Sequence, residues 1–128
     1  MLILLVAAIL LFSACIVHSW LGEVMIVRPL LAALPAAGVF GEGHYARTIL
    51  RLAWHATSIA WCGIGIAIAV MAVAPASRQW ALTLTVFAAT FCVTAIAMLV
   101  TTRGRHKGWL LFLAVAILLQ VATACAFA

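Results

Sequence analysis

The sequence predicts an all-α integral membrane protein, a four-helix transmembrane bundle in one domain with a kinked or interfacial segment between its first two helices. Three observations predict it. Of the 128 residues 70% are apolar and only 7% charged, whereas ordinary soluble domains run at about 45–50% apolar and ~25% charged. Four apolar runs reach the length of about 20 residues that a bilayer core of ~30 Å requires at ~1.5 Å per residue. Short polar or proline-containing breaks separate the last three of them. Nine charged side chains cannot solvate the surface of a 13.6 kDa soluble protein. The same arithmetic excludes a disordered chain, a disulfide scaffold, a soluble enzyme and a nucleic-acid binder.

The first helix is expected over about 2–22, with extension to Val27 as an alternative. Phe12-Ser13-Ala14-Cys15 approaches the pattern before a lipid-modified cysteine, but no basic residue precedes Arg28, so the positive region of an export signal is missing. The segment reads as a permanent span. Glu23 to Tyr45 is too apolar for a free loop and carries Pro29, Pro35, Gly38, Gly41 and Gly43. Proline removes a donor and clashes with the preceding turn, so a kink or break at Pro29 and another near Pro35 is expected, with 29–40 interfacial or re-entrant. The second helix is expected over 46–74, the third over 80–101 and the fourth over 109–128. Pro75-Ala76-Ser77-Arg78-Gln79 and Arg103-Gly104-Arg105-His106-Lys107-Gly108 form the turns.

Lysine and arginine set the orientation. Arg28, Arg47, Arg51, Arg103, Arg105 and Lys107 fall on one side and Arg78 alone on the other, so loops 23–45 and 102–108 are expected in the cytoplasm and both termini in the periplasm. Trp20, Trp80 and Trp109 stand at helix ends as interfacial anchors would. Gly63/Ala67 and Gly65/Ala69 are small-residue pairs suited to close helix contact. Thr83, Thr85, Thr90 and Thr94 are expected to bond their own backbone, and Gln120 a neighbouring helix. Cys15, Cys62, Cys92 and Cys125 lie far apart without metal-site spacing and read as packing.

One polar cluster stands out. His18, His44, His55 and His106, with Glu23 and Glu42, all fall toward the expected cytoplasmic side. With helix ends near Gly22 and Arg51, His18 and His55 each lie four residues inside, roughly 6 Å deep and level on antiparallel helices. Arg47, Arg51 and His55 recur at i, i+4 and i+8, and Ser58 and Cys62 continue the stripe. Ionisable groups inside a bilayer cost several kcal/mol unless they face the bundle and find partners, so the stripe is expected to face inward, with Glu23 paired to Arg51 or Arg47.

Three readings of the cluster follow. In the first, His18, His55 and Glu23 hold a metal ion, or the two histidines clamp a haem iron, making the chain a redox or membrane-complex subunit. Arg47 and Arg51 then pair with haem propionates, Trp54 and Trp61 line the ring, Ser19 and Ser58 support the ligands, and His44 and His106 are peripheral. No HxxxH, HxxE or ExxH spacing is present, and His18 and Glu23 stand about 140° apart on an ideal helix, an angle a kink would change. In the second, the arginine stripe serves an anion or proton transport module. In the third, the cluster is a helix-helix lock in a non-catalytic structural or accessory subunit. The metal or haem reading is carried forward with the other two as alternatives. The expected partners are the lipid bilayer and further copies or a larger membrane complex.

The segments His18-Ser19-Trp20-Leu21-Gly22-Glu23, Arg28-Pro29-Leu30 and Leu50-Arg51-Leu52-Ala53-Trp54-His55 resemble a group of small bacterial four-helix inner-membrane proteins that share an HS-x-LGE segment and a Trp-His pair. The resemblance covers the first half of the chain. It implies a bacterial inner-membrane location and no mechanism, and His18, Glu23, Arg51 and His55 are the residues that carry it.

Overall fold

The computed structural model describes residues 1–33, 37–38 and 41–127, with side chains described for 1–33 and 45–126. The chain is all-α, and among the described residues four helical stretches are long and apolar enough to cross a membrane: Leu2–Ala33, Tyr45–Val73, Arg78–Thr101 and Gly108–Ala126. It is thus a multi-pass membrane protein of the predicted class. The elements are α1 (Leu2–Gly22), a π-helical turn (Glu23–Val27), α2 (Arg28–Ala33), a two-residue antiparallel ladder of β1 (Ala37–Gly38) and β2 (Gly41–Glu42), then α3 (Gly43–Val73), α4 (Arg78–Thr101) and α5 (Gly108–Phe127).

At Pro29, where a kink or break is expected, the helix changes type and continues. A proline ring collides with the carbonyl four residues back, here that of Met25, and offers no N–H to it. The chain widens just before this point: Arg28 N–H bonds the carbonyl of Glu23, five residues back, and the helix continues through Pro29 to Ala33. The first helical stretch therefore runs well beyond residue 22, and 29–33 continue it without interruption. Of the expected interfacial or re-entrant piece, Pro35 and Phe40 lie outside the described residues. Such π-turns recur where helices carry function, and this one begins at Glu23.

The chain divides into two compact units, Met1–Leu11 with Gly63–Ala128, and Phe12–Cys62. In the first, α4 and α5 form a hairpin. Leu84, Ala88, Phe91 and Ala95 are buried on α4, and Phe112, Val115, Ala116, Leu119 and Ala122 on α5, steps of three and four residues that keep one face of each helix inward. Phe91 and Phe112 stack with centroids 5.8 Å apart.

Both turns of this unit have identifiable chemistry. Ser77 caps α4 by accepting from Trp80 N–H at 3.2 Å, and the Trp80 indole donates to the Met71 carbonyl at 2.9 Å, so this tryptophan ties the turn together. At the other end Gly104 N–H reaches the Leu99 carbonyl at 2.8 Å and Arg103 N–H that of Val100 at 3.2 Å, a Schellman closure. It requires positive φ, 50° at Arg103 and 72° at Gly104. The hydroxyls of Thr83, Thr85, Thr90 and Thr94 return to carbonyls four residues back, as expected. Gln120 differs: it is exposed on α5, and no interhelical bond holds it among the described residues. A side chain at Gly63 would meet nothing within 4 Å, so the Gly63/Ala67 pair makes no close contact there.

Candidate functional site

The polar cluster lies within the unit Phe12–Cys62, where α1 and α3 run antiparallel. The residues that meet are spaced three and four apart on both helices, the spacing that keeps side chains on one face. Successive pairs form a seam. His18 Nδ1 and Ser58 Oγ are 2.9 Å apart. Ser19 Oγ and His55 Nδ1 are 3.0 Å apart. Gly22 faces the Trp54 ring, and Glu23 meets Arg51 and His55. Cys15 and Cys62, both unoxidised, occupy the next turn of each helix.

Glu23 is the node. Its Oε1 accepts from Arg28 Nε at 3.2 Å and from Arg51 Nη2 at 3.1 Å, and its Oε2 lies 3.4 Å from His55 Nε2. The sequence predicts a pair with Arg51 or Arg47, and Arg51 makes it; the Arg28 pair is an addition made by the π-turn. Residues five apart on an ideal α-helix diverge by about 140°, and the wider turn closes that angle.

Both ring nitrogens of His55 are engaged. A carboxylate only accepts hydrogen bonds, so His55 donates from Nε2 to Glu23 and, as a neutral ring, accepts at Nδ1 from the Ser19 hydroxyl. Neither nitrogen then presents a free lone pair. His18 is held differently. Trp54 stacks on its face with centroids 4.4 Å apart and planes 5° apart, and Trp61 meets it at 4.8 Å and 64°. The Trp54 indole also donates to the His18 carbonyl at 3.1 Å. Ser58, only 5% exposed, therefore finds its partner inside the seam.

The two histidines are level only to within a turn: His18 lies opposite Ser58, and His55 opposite Ser19 and Glu23. The tryptophans cover a histidine rather than an open slot. Arg51 supplies the Glu23 contact, and Arg47 lines a cavity beside it with Arg28 and Arg51. His106 belongs to the α4–α5 turn, where its Nδ1 accepts from Gly108 N–H at 3.2 Å. The side chain of His44 lies outside those described. Gly22 and Arg28 were not among the expected site residues. Gly22 resembles a helix boundary in sequence, and Arg28 a topology signal.

Ser19, His55 and Glu23 form a hydroxyl-imidazole-carboxylate chain, the order of a nucleophile, its base and the group that orients the base. Spacing along the sequence gives no sign of it. Ser19 stands inside α1, where backbone N–H groups are spent on carbonyls of the preceding turn, so the backbone offers no donors for a developing oxyanion. The arrangement can share a proton along its length and hold two helices in register. Among the described residues no three His, Cys, Asp or Glu side chains are grouped to hold a metal ion. No protein-family model, curated protein or solved structure matches the chain.

Proposed function

We propose that the chain is a small accessory subunit of the bacterial inner membrane whose polar seam locks its first two spans together. On this reading its two positively charged connecting segments face the cytoplasm, its termini face the periplasm, and it acts through a membrane complex or further copies of itself. The supporting observation is that both ring nitrogens of His55 are engaged, Nδ1 with Ser19 and Nε2 with Glu23. A metal at His55 would have to displace one of those partners. A haem iron held between His18 and His55 would have to displace one of those partners in the same way.

A lock of this kind is physically reasonable in a bilayer. Apolar faces gain little by leaving lipid for one another, so specificity between helices comes from packing and polar bonds, the latter worth about 0.6–2 kcal/mol each. A continuous set of such bonds selects one register of α1 against α3.

The test is an absorption spectrum with elemental analysis on tag-free protein purified in mild detergent without chelators, followed by thermal unfolding of His55→Ala. The lock reading expects colourless, metal-poor protein and a variant that is less stable by about 1–2 kcal/mol. A Soret band, or near-stoichiometric iron, copper or zinc that disappears in His18→Ala, would overturn it in favour of a cofactor site.

A further inference from the structure

Beside the seam α2 and α3 border an open cavity of about 280 Å³ lined by Arg28, Leu31, Ala32, Arg47, Thr48 and Arg51. Three of its six lining residues are arginines, in a chain that has seven basic residues altogether. Their convergence follows from helix geometry. Arg28, Leu31 and Ala32 are spaced i, i+3, i+4 on α2, and Arg47 and Arg51 are spaced i, i+4 on α3, so each set shares one helix face.

Glu23 is bonded to two of these arginines, through one nitrogen of Arg28 and one of Arg51. Among the described side chains three guanidinium groups converge at the cavity beside the one carboxylate of Glu23. Each guanidinium carries five N–H donors, so the Glu23 bonds leave Arg28 and Arg51 with donors for another acceptor. Orientation in the membrane explains why basic residues stand on this side, but it requires only their number. Arg103, Arg105 and Lys107 meet that requirement as exposed side chains of a turn. Convergence on a cavity is a separate property.

We propose that Arg28, Arg47 and Arg51 form a binding site for a phosphate-type oxyanion. Guanidinium forks match the planar, bidentate geometry of phosphate oxygens. The cavity lies near the lower edge of the ~300–1,000 Å³ typical of small-molecule sites, which suits a headgroup-sized ligand. Its arginines belong to the first two turns of the span Tyr45–Val73 and the last two turns of the span Leu2–Ala33, where lipid phosphates reside, and basic pockets between spans at that level hold anionic headgroups. A free inorganic phosphate and an anionic phospholipid present the same chemistry to the site.

The experiment follows thermal unfolding of the full chain in zwitterionic detergent along two titrations. One is inorganic phosphate against chloride at matched ionic strength; the other is short-chain phosphatidylglycerol against phosphatidylcholine. The wild type and Arg105→Gln are expected to gain stability in at least one titration, because a ligand that binds the folded state raises the midpoint. A response to phosphate alone assigns a free oxyanion, and a response to phosphatidylglycerol alone assigns a lipid headgroup. Arg47→Gln should weaken the apparent affinity by about tenfold or more, as expected for loss of a charge-assisted contact. Arg28→Lys, which keeps the charge and loses the fork, provides the comparison if Arg47→Gln does not fold. The proposal fails if neither anion stabilises the wild type, if the cavity variants respond as the wild type does, or if Arg105→Gln loses the response equally.

Discussion

Gly22→Ala is expected to destabilise the protein by about 1–3 kcal/mol, the range for overpacking a well-filled site. A Cβ at this position would fall 2.5 Å from Trp54 Cζ2, 2.7 Å from Nε1 and 2.8 Å from Cε2. The backbone is no obstacle, since Gly22 is right-handed helical at φ −63°, and alanine in a helix gains about 0.5–1 kcal/mol over glycine. The two effects oppose each other. The clash wins because Trp54 has nowhere inexpensive to go: its ring is stacked on His18 and its indole N–H is bonded to the His18 carbonyl. Moving the ring breaks both. Thermal or denaturant unfolding in detergent, with tryptophan emission as the signal, checks the sign. A stabilised Gly22→Ala would show that the close approach of Trp54 is not needed for the fold.

His18→Ala is expected to cost about 2–4 kcal/mol, in the range of large-to-small substitutions at packed positions. It removes the stack on Trp54, the edge contact with Trp61 and the bond to Ser58 at once. Stacked aromatic pairs are worth about 0.5–1.5 kcal/mol beyond their buried area, and a hydrogen bond about 1 kcal/mol, so ring packing outweighs the polar contact. His18→Phe should therefore recover more than half of the loss while abolishing the Ser58 bond. Equal damage in His18→Ala and His18→Phe would instead point to the imidazole nitrogen, as a metal ligand would require.

Much of this architecture is legible in the residues because bilayer physics leaves few options. Long apolar runs must be helices, and an arginine-histidine stripe inside a span must find partners, so a pair of Glu23 with Arg51 or Arg47 follows from the sequence. Three features do not. The π-turn is a response to Pro29 whose form, a kink or a widened turn, depends on how the displaced carbonyls are satisfied; it brings Arg28 onto Glu23. The pairing of His18 with Ser58 and of Ser19 with His55 depends on the relative height of two helices, and a span boundary uncertain by one turn cannot distinguish it from a direct meeting of the histidines. Gly22 gives no sign of its role, because a glycine beneath a tryptophan and a glycine at a helix end look the same in one dimension. The same ambiguity attends Trp54, which could as well line a cofactor as cover a histidine.

The central claim is that Ser19, His55 and Glu23 act together to hold α1 against α3. A double-mutant cycle on Ser19→Ala and His55→Ala, measured by equilibrium unfolding in detergent, addresses it most directly because it isolates the pair from the cost of each truncation. The lock predicts a favourable coupling between the two side chains of about 0.5–2 kcal/mol. Additive effects, within about 0.3 kcal/mol, would contradict it and leave Ser19 and His55 as independent neighbours in the seam.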